Sequence, residues 1–373
     1  MLSIAHNAVA PSNRARVDAL RRLPGVEVQL LTPPWWFEEG RRISAAPRVD
    51  TSWRVGKTLF TGNGTRHVYA SGLVEAMRRR PPDVIDLFEE PFTLVALQTL
   101  VLRNLIAPSA AFVFYSAVNV ERRWRWPYRA IEHAVLRGAD AAHAPSADVP
   151  PILRARGMRD KAVAVIPLGV DVERFASAEA MLLPDTPRPR VGFIGRFEPV
   201  KGLDVLLEAA RRLTTPASLV LAGDGSQRTA LRGHAVHVLS SVAYEQVPSL
   251  LKALDVLVLP SVTIPPLHRE QFGRVLAEAM AAGVPVIGSS SGAIPDVIGD
   301  AGLIVPERDP AALAHAIDAV LADADLRQRL VARGRDRARR GFDWSTVAEQ
   351  TLALFHSALA QRRGVARRQA VRA

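Results

Sequence analysis

The sequence contains no cysteine. That excludes disulfides, thiolate metal sites and a cysteine nucleophile, and it suits a cytoplasmic location. No run of about 18 or more apolar residues occurs, so no transmembrane helix is expected. The opening Met1-Leu2-Ser3-Ile4-Ala5-His6 has neither a basic stretch nor a long apolar one, so no secretory signal is expected. Acidic residues are comparatively scarce, 37 Asp and Glu against 48 Lys and Arg, which leaves a net charge of +11. What is present is an ordinary globular composition, 48% hydrophobic and 23% charged. A chain of 373 residues is too long for one ordinary core and suits two domains.

The positive charge is uneven. Arg78, Arg79 and Arg80 cluster, as do Arg122, Arg123 and Arg125 around Trp124 and Trp126, and the stretch from Arg362 to Arg372 is basic without an acid. Arginine interleaved with tryptophan suits peripheral contact with anionic lipid at the inner face of a membrane, because Trp favours the interface and Arg the head groups. The same residues can stack nucleic-acid bases, a reading that ranks behind the lipid one. A solvated, arginine-rich surface is the plain alternative to both.

Short apolar runs ending in Gly, Pro, Ser or Asn alternate with helical patterns, the signature of parallel sheets built from βαβ units. Strands are expected at Leu2–Ala8, Val26–Pro33, Asp83–Glu90, Ala111–Val118, Ala141–Ser146 and Ala162–Gly169, and again at Arg190–Arg196, Ser218–Asp224, Val236–Val242, Val256–Ser261, Val284–Ser290 and Gly302–Pro306. Between the two series, Ala176–Arg190 is rich in Pro and small residues and reads as a linker. The expected division is a first domain over residues 1–172 completed by a helix within 345–373, a linker over 173–189, and a second domain over 190–344. Two doubly wound domains facing each other would leave a cleft at the C-terminal ends of their strands, where ligands bind in such folds.

The most informative stretch is 268–285. Glu270 sits in a loop that ends at Phe272 and Gly273; a short helix follows, carries Glu278, and stops at Gly283 and Pro285. A helix N-terminus offers unpaired N–H groups to a phosphate, and carboxylates on either side can accept hydrogen bonds from sugar hydroxyls. Glu278 lies in the nearly all-apolar Leu-Ala-Glu-Ala-Met-Ala-Ala-Gly, so it should be buried and needs a partner. The strand Val191-Gly192-Phe193-Ile194-Gly195 delivers Arg196 at its end, and Lys201-Gly202 opens the next helix. A guanidinium fork and a mobile ammonium both suit a diphosphate. Asp224, within Gly223-Asp224-Gly225, marks a tight turn; Val242 marks a strand end whose backbone can reach a base.

Together, Gly195-Arg196, Lys201-Gly202, Gly223-Asp224-Gly225, Pro260-Ser261, Glu270 through Met280, Gly292 with Pro295-Asp296-Val297-Ile298, and Gly302 through Pro306 resemble the group-1 glycosyltransferases of family 4, with the GT-B fold. Gly169-Val170-Asp171 with Phe175 extends the likeness, which covers nearly the whole chain and is more specific in the second half. The resemblance implies an α/β fold of two Rossmann-like domains. It also implies a retaining transfer of a sugar from a nucleoside diphosphate sugar, UDP- or GDP-linked, to an acceptor (glycan, lipid or small molecule), with no metal required and no cofactor beyond that co-substrate. Arg196 and Lys201 would hold the diphosphate, Glu278 the ribose, and Glu270 with the Phe272–Gly273 backbone the donor sugar. Asp323-Ala324-Asp325 has the spacing of a metal motif but lies in a surface helical stretch and reads as solvated.

The first half departs from the family pattern. Tyr115, with Ser116 and Asn119 beyond it, stands where many relatives place a histidine, and Glu89-Glu90-Pro91 stands for His-Glu-Pro. Tyr115, Asn119 and Glu90 become candidate sugar or acceptor contacts, joined by His6 at the end of the first strand and by Arg14. The usual glycine pair is replaced by Ala10-Pro11-Ser12-Asn13-Arg14, where Ser12 or Asn13 would cap the next helix. Rival readings are an epimerase or phosphorylase on the same fold, an inactive nucleotide-sugar-binding protein, and nucleic-acid binding through the Arg/Trp cluster.

Overall fold

The computed structural model describes residues 1–38, 41–46, 52–231, 234–240, 242–266 and 268–372. The chain divides into two compact units, Met1–Ile166 with Ser345–Ala373, and Pro167–Trp344. Among the described residues no helix is long and apolar enough to cross a membrane.

The first unit carries a seven-stranded parallel sheet in the order Ala162–Val165, Ala141–Ala144, Ala111–Tyr115, Val84–Leu87, Leu2–Ile4, Gln29–Thr32, Trp53–Val55. Its inner strands are buried at every or nearly every position, so side chains of either parity are covered, with Asp86 and His143 the polar exceptions in otherwise apolar runs. The strand order reverses at Leu2–Ile4, which has the later strand Val84–Leu87 on one side and Gln29–Thr32 on the other. In open α/β sheets such a reversal opens a crevice at the C-terminal strand ends.

The second unit repeats the plan with six strands in the order Val236–Leu239, Ser218–Ala222, Arg190–Ile194, Val256–Leu259, Val286–Ser289, Leu303–Val305. Here the reversal falls at Arg190–Ile194, flanked by Ser218–Ala222 and Val256–Leu259. Helices Leu203–Ala210 and Arg274–Ala282 follow two of these strands and bury Leu203, Leu206, Leu276 and Met280 in its core.

Several expectations need correction. The first strand ends at Ile4 and the chain turns into a 3-10 helix, His6–Val9, so His6 and Asn7 sit on a turn rather than on the strand. The next helix, Pro11–Arg21, starts from Ala10 with Pro11 in its first turn and has no side-chain N-cap; Asn13 Nδ2 instead donates to the Asn7 carbonyl at 3.1 Å. The expected linker is part of the second unit. Val172–Ser177 is a helix, Leu183 and Thr186 are buried, and the Arg190 guanidinium donates to the carbonyls of Thr186 and Leu183 at 2.7 and 2.9 Å. The final helix runs Trp344–Arg372, and the side chains of its basic stretch beyond 364 lie outside the described residues. Two small hairpins, Trp35–Glu38 with Arg41–Ser44 and Thr58–Leu59 with Val68–Tyr69, were not anticipated.

One buried charge network ties the first sheet to its first helix. Arg16 donates to both oxygens of Asp86 at 2.7 and 3.1 Å, Ser3 Oγ donates to Asp86 at 3.0 Å, and His143 Nε2 lies 3.5 Å away. Burial would raise the Asp86 pKa, but Arg16 first and then His143 hold it far below the usual carboxylate range. Replacing Arg16 alone strands a buried charge. Arg16→Met should therefore lower the unfolding free energy by about 3–5 kcal/mol in urea titration, and a loss under ~1 kcal/mol would show the pair to be dispensable.

Candidate functional site

In the second unit the sequence-predicted residues converge on the strand reversal. Arg196 follows the strand Arg190–Ile194 and is exposed, with no hydrogen-bond or ion-pair partner among the described residues. Lys201 closes a 3-10 turn, Pro199–Lys201, and Gly202 opens the helix behind it at φ +67°. A Cβ on Gly202 would stand 2.0 Å from the Pro260 carbonyl oxygen, so only glycine lets this turn lie against the end of the neighbouring strand. The close approach places Lys201 beside Glu270. Lys201 Nζ donates to Glu270 Oε2 at 2.6 Å, and Ser261 Oγ donates to the same oxygen at 2.7 Å. Burial alone would raise the Glu270 pKa; the Lys201 charge and these hydrogen bonds outweigh it and keep the carboxylate ionised.

The loop that carries Glu270 is pinned from the other side, where Ala293 N–H donates to the Glu270 carbonyl at 3.0 Å and a Cβ on Gly292 would stand 2.1 Å from that oxygen. Phe272 is buried with its ring edge-on to Phe342 at 5.7 Å, so it anchors the loop in the core and leaves only its backbone for a ligand. Gly273 then caps the helix Arg274–Ala282 without a side-chain hydrogen bond, which leaves the N–H groups of the first turn without an N-cap partner.

Glu278 is buried as expected, and the protein itself supplies its partners. Arg274 Nε lies 3.5 Å from Glu278 Oε1, and the Tyr244 phenol is close enough for the carboxylate to raise its pKa. Burial first, and Glu278 second, push the Tyr244 pKa up. The guanidiniums of Arg174 and Arg274 lie 5.2 and 5.6 Å over the Tyr244 ring. Tyr244, Arg174 and Arg274 carry no motif of their own, and the sequence reading missed them. Asp224 is exposed and accepts from the next N–H, Gly225, at 2.8 Å, so it builds the turn it was expected to mark. Val242 is not on a strand, since the strand stops at Leu239; its side chain packs on the apolar core. Asp323 caps the helix Ala324–Arg337 by accepting from Leu326 N–H at 2.8 Å, which explains that acidic spacing. His268 lies near Glu270, Lys201 and Arg196, and burial, ahead of those charges, lowers its pKa.

The first unit gathers a second set of residues at its own strand reversal. His6 Nδ1 lies 2.6 Å from both oxygens of Glu89, and His6 N–H donates to Glu89 Oε1 at 3.0 Å. Burial would raise the Glu89 pKa; His6 and then His67 bring it down to about 2. A cavity of about 80 Å³ adjoins His6, lined among others by Asn7, Asn13, Trp36, Phe37 and Ile43. Glu90 turns the other way: Ser116 Oγ donates to it at 2.7 Å and Ala117 N–H at 2.8 Å. Burial dominates there and raises its pKa to about 7, with Glu89 adding to the effect. Tyr115 stacks on Phe88 at 4.1 Å, Asn119 is buried, and the Arg14 guanidinium packs 4.6 Å over Trp53. Tyr115, Asn119 and Arg14 are thus held by their own unit.

Comparison with known proteins agrees with this layout. The family described as Glycosyl transferases group 1 matches residues 177–337, and that described as Glycosyltransferase Family 4 matches residues 14–174. The chain belongs to the group-1, family 4 glycosyltransferases. Among its relatives is the phosphatidyl-myo-inositol mannosyltransferase of Mycobacterium leprae, 36% identical over 203 residues that make up 52% of this chain and 53% of that protein. A D-inositol 3-phosphate glycosyltransferase from Xylanimonas cellulosilytica is 32% identical over 258 residues, 62% of this chain and 60% of that one. The matched region spans about half the length of the mannosyltransferase. Similar solved structures include a sucrose-phosphate synthase from Thermosynechococcus elongatus (21% identity, TM-score 0.69, 96% and 98% of the two chains) and an Anabaena protein in complex with UDP (16%, 0.69, 95% and 98%). These likenesses establish the fold as GT-B, with two parallel-sheet Rossmann-like domains. Within this glycosyltransferase family member, Arg196, Lys201, Glu270 and Glu278 all lie in the group 1 match.

The raised Glu90 pKa makes a pH test. A carboxyl titrating near 7 when folded and at an ordinary 4.5 when unfolded favours the folded state below the lower value, and that contribution is lost as pH rises through the upper one. Glu90→Gln keeps both hydrogen-bond positions and removes the ionisation. It should raise Tm by about 2–4 °C at about pH 8 and by less at about pH 5 in thermal scans, and equal gains at both would contradict the assignment.

Proposed function

We propose that the chain is a retaining glycosyltransferase that moves a sugar from a UDP- or GDP-linked donor to an acceptor, with residues 190–344 on the donor side and residues 1–172 with 345–373 on the acceptor side. One observation carries this reading. Arg196, which makes no hydrogen bond or ion pair among the described residues, stands at the same strand reversal as the Lys201–Glu270 pair and the uncapped helix start at Gly273. Negative charge develops on the departing diphosphate, and fixed cations with helix N–H groups lower the energy of that state. In this reading Arg196 and Lys201 supply the positive charge that a metal ion supplies elsewhere, so the diphosphate needs none. Glu270 and the Phe272–Gly273 backbone receive the donor sugar, and Glu278 receives the ribose by exchanging part of its contact with Arg274. The UDP complex of the structural relative makes UDP-sugars the first donors to try, and the names of the sequence relatives make inositol-bearing molecules the first acceptors.

Calorimetry and initial rates with a labelled donor test this. Arg196→Ala should lower kcat about 100-fold with KM changed less than ~3-fold, and Glu278→Ala should weaken donor binding at least ~10-fold. Wild-type behaviour in both variants would refute the assignments, and recovery of an altered sugar nucleotide in place of a glycosylated acceptor would identify an epimerase.

A cytoplasmic protein resting on the inner face of a membrane is the setting we infer, supported by one surface of the first domain. Trp126 is 84% exposed among Arg122, Arg123, Arg125 and Arg129, and Leu59 and Phe60 are exposed on a hairpin loop that Arg66 Nε joins to the Tyr128 hydroxyl at 3.2 Å. In vesicle sedimentation the protein should bind anionic but not neutral vesicles, and Trp126→Ser should weaken that binding about 5-fold or more. Equal binding of the variant, or none by the parent, would remove the membrane from the picture.

A further inference from the structure

We propose that His6 Nδ1, His67 Nε2 and the Glu89 carboxylate form a binding site for one divalent transition-metal ion of the zinc class. The three side chains come from separate places: the turn after the first strand, the hairpin segment before Val68–Tyr69, and the end of the strand Val84–Leu87. Their nitrogen and oxygen atoms all lie within 4.8 Å of one another, and among the described residues no other group of three His, Asp or Glu side chains converges in this way.

His67 carries the argument. It is completely buried, and its Nδ1 lies 3.2 Å from the Asn63 carbonyl, a group that can only accept. The hydrogen on a neutral ring is therefore fixed at Nδ1. That leaves the Nε2 lone pair 3.6 Å from Glu89 Oε1, with no hydrogen-bond partner. A buried lone pair facing a carboxylate is unfavourable unless positive charge lies between them. A carbonyl that orients the remote nitrogen of an imidazole is the usual arrangement behind a metal-bound histidine. Two imidazoles and one carboxylate form the His₂Glu set that zinc accepts, with a fourth position left for water or a ligand.

The dimensions fit as well. Ligands about 2.1 Å from a tetrahedral ion stand roughly 3.4 Å apart. The observed separations, 2.6 Å for His6 to Glu89 and 3.6 Å for His67 to Glu89, lie on either side of that value, and no two of the three ligand atoms are more than 4.8 Å apart. Trp36 packs against both imidazoles, with ring centroids 4.3 and 4.8 Å away, and so fixes their planes. His6, the one ligand of the three that is partly exposed, also lines the neighbouring cavity, which gives the ion an entry path. With no cysteine in the chain, no thiolate competes for the ion. The proposal does not depend on sugar transfer, because these residues belong to the first domain and the diphosphate cations to the second.

The test is titration of the tag-free, chelator-treated full-length protein with ZnCl₂ by calorimetry, with CoCl₂ absorption as a second readout. Saturable binding of one equivalent is expected, with tetrahedral cobalt bands. His67→Gln and the more exposed His6→Asn should each weaken binding at least ~10-fold, with folding checked by circular dichroism. Absence of saturable binding by the parent protein would mean that a proton alone fills the gap beside Glu89. Unchanged affinity in a folded His6→Asn variant would place the ion elsewhere. Either result overturns the proposal, whatever the outcome of the transferase assays.

Discussion

A single ammonium, that of Lys201, neutralises a carboxylate that the second domain has buried. Taking Glu270 out of water is costly, and the cost is met only where the ammonium and the Ser261 hydroxyl converge on one oxygen. That convergence requires the Lys201 turn to touch the strand end at Pro260, which a side chain at position 202 would prevent. The loop from Ser261 to Gly273 is thereby fixed at both ends, and the start of the helix at Arg274 is fixed with it. Lysine has three donor hydrogens and gives one to Glu270. The residue that orders the loop therefore keeps donor hydrogens beyond the one that holds Glu270.

The same logic appears in the first domain with different residues. Each sheet reverses its strand order at one strand, and each places a buried carboxylate beside that reversal. In the second domain the partner is the alkylammonium of Lys201. In the first it is a pair of imidazoles, those of His6 and His67. In the same domain Arg16 and Asp86 form a second ion pair, sealed from solvent.

What could be read from the chain follows from how far apart the cooperating residues lie. Glu270, Phe272, Gly273 and Glu278 fall within one loop and one short helix, so their spacing alone shows a carboxylate, a helix start and a buried second carboxylate. The central strands were legible because two-sided burial demands unbroken apolar runs such as Ala111–Tyr115. His67 was not legible. Sixty-one positions separate it from His6 and it lies in a hairpin of two-residue strands, too short to show alternation. The segment around Leu183 looks like a linker because Pro and small residues dominate it; its carbonyls nevertheless hold the Arg190 side chain, a role that composition does not encode. Nothing in the spacing around Arg16 marks it as buried, since the aspartate it pairs with is seventy residues away.

Glu89 and Glu90 are neighbours in the chain and opposites in chemistry. The first points to imidazoles and is held near a pKa of about 2; the second points to a hydroxyl and an amide and is raised to about 7, in part by the first. Environments that push paired carboxyls apart in this way separate a permanent anion from a group that can exchange a proton near neutrality. Neither is poised as a nucleophile. Both oxygens of Glu89 face His6 Nδ1, and the oxygens of Glu90 accept from Ser116 and Ala117. A covalent glycosyl intermediate on either would have to form at an oxygen already engaged in one of these contacts. If transfer retains configuration, attack on the same face as the departing diphosphate requires nothing of these two carboxyls, and it draws instead on the fixed charges of Arg196 and Lys201.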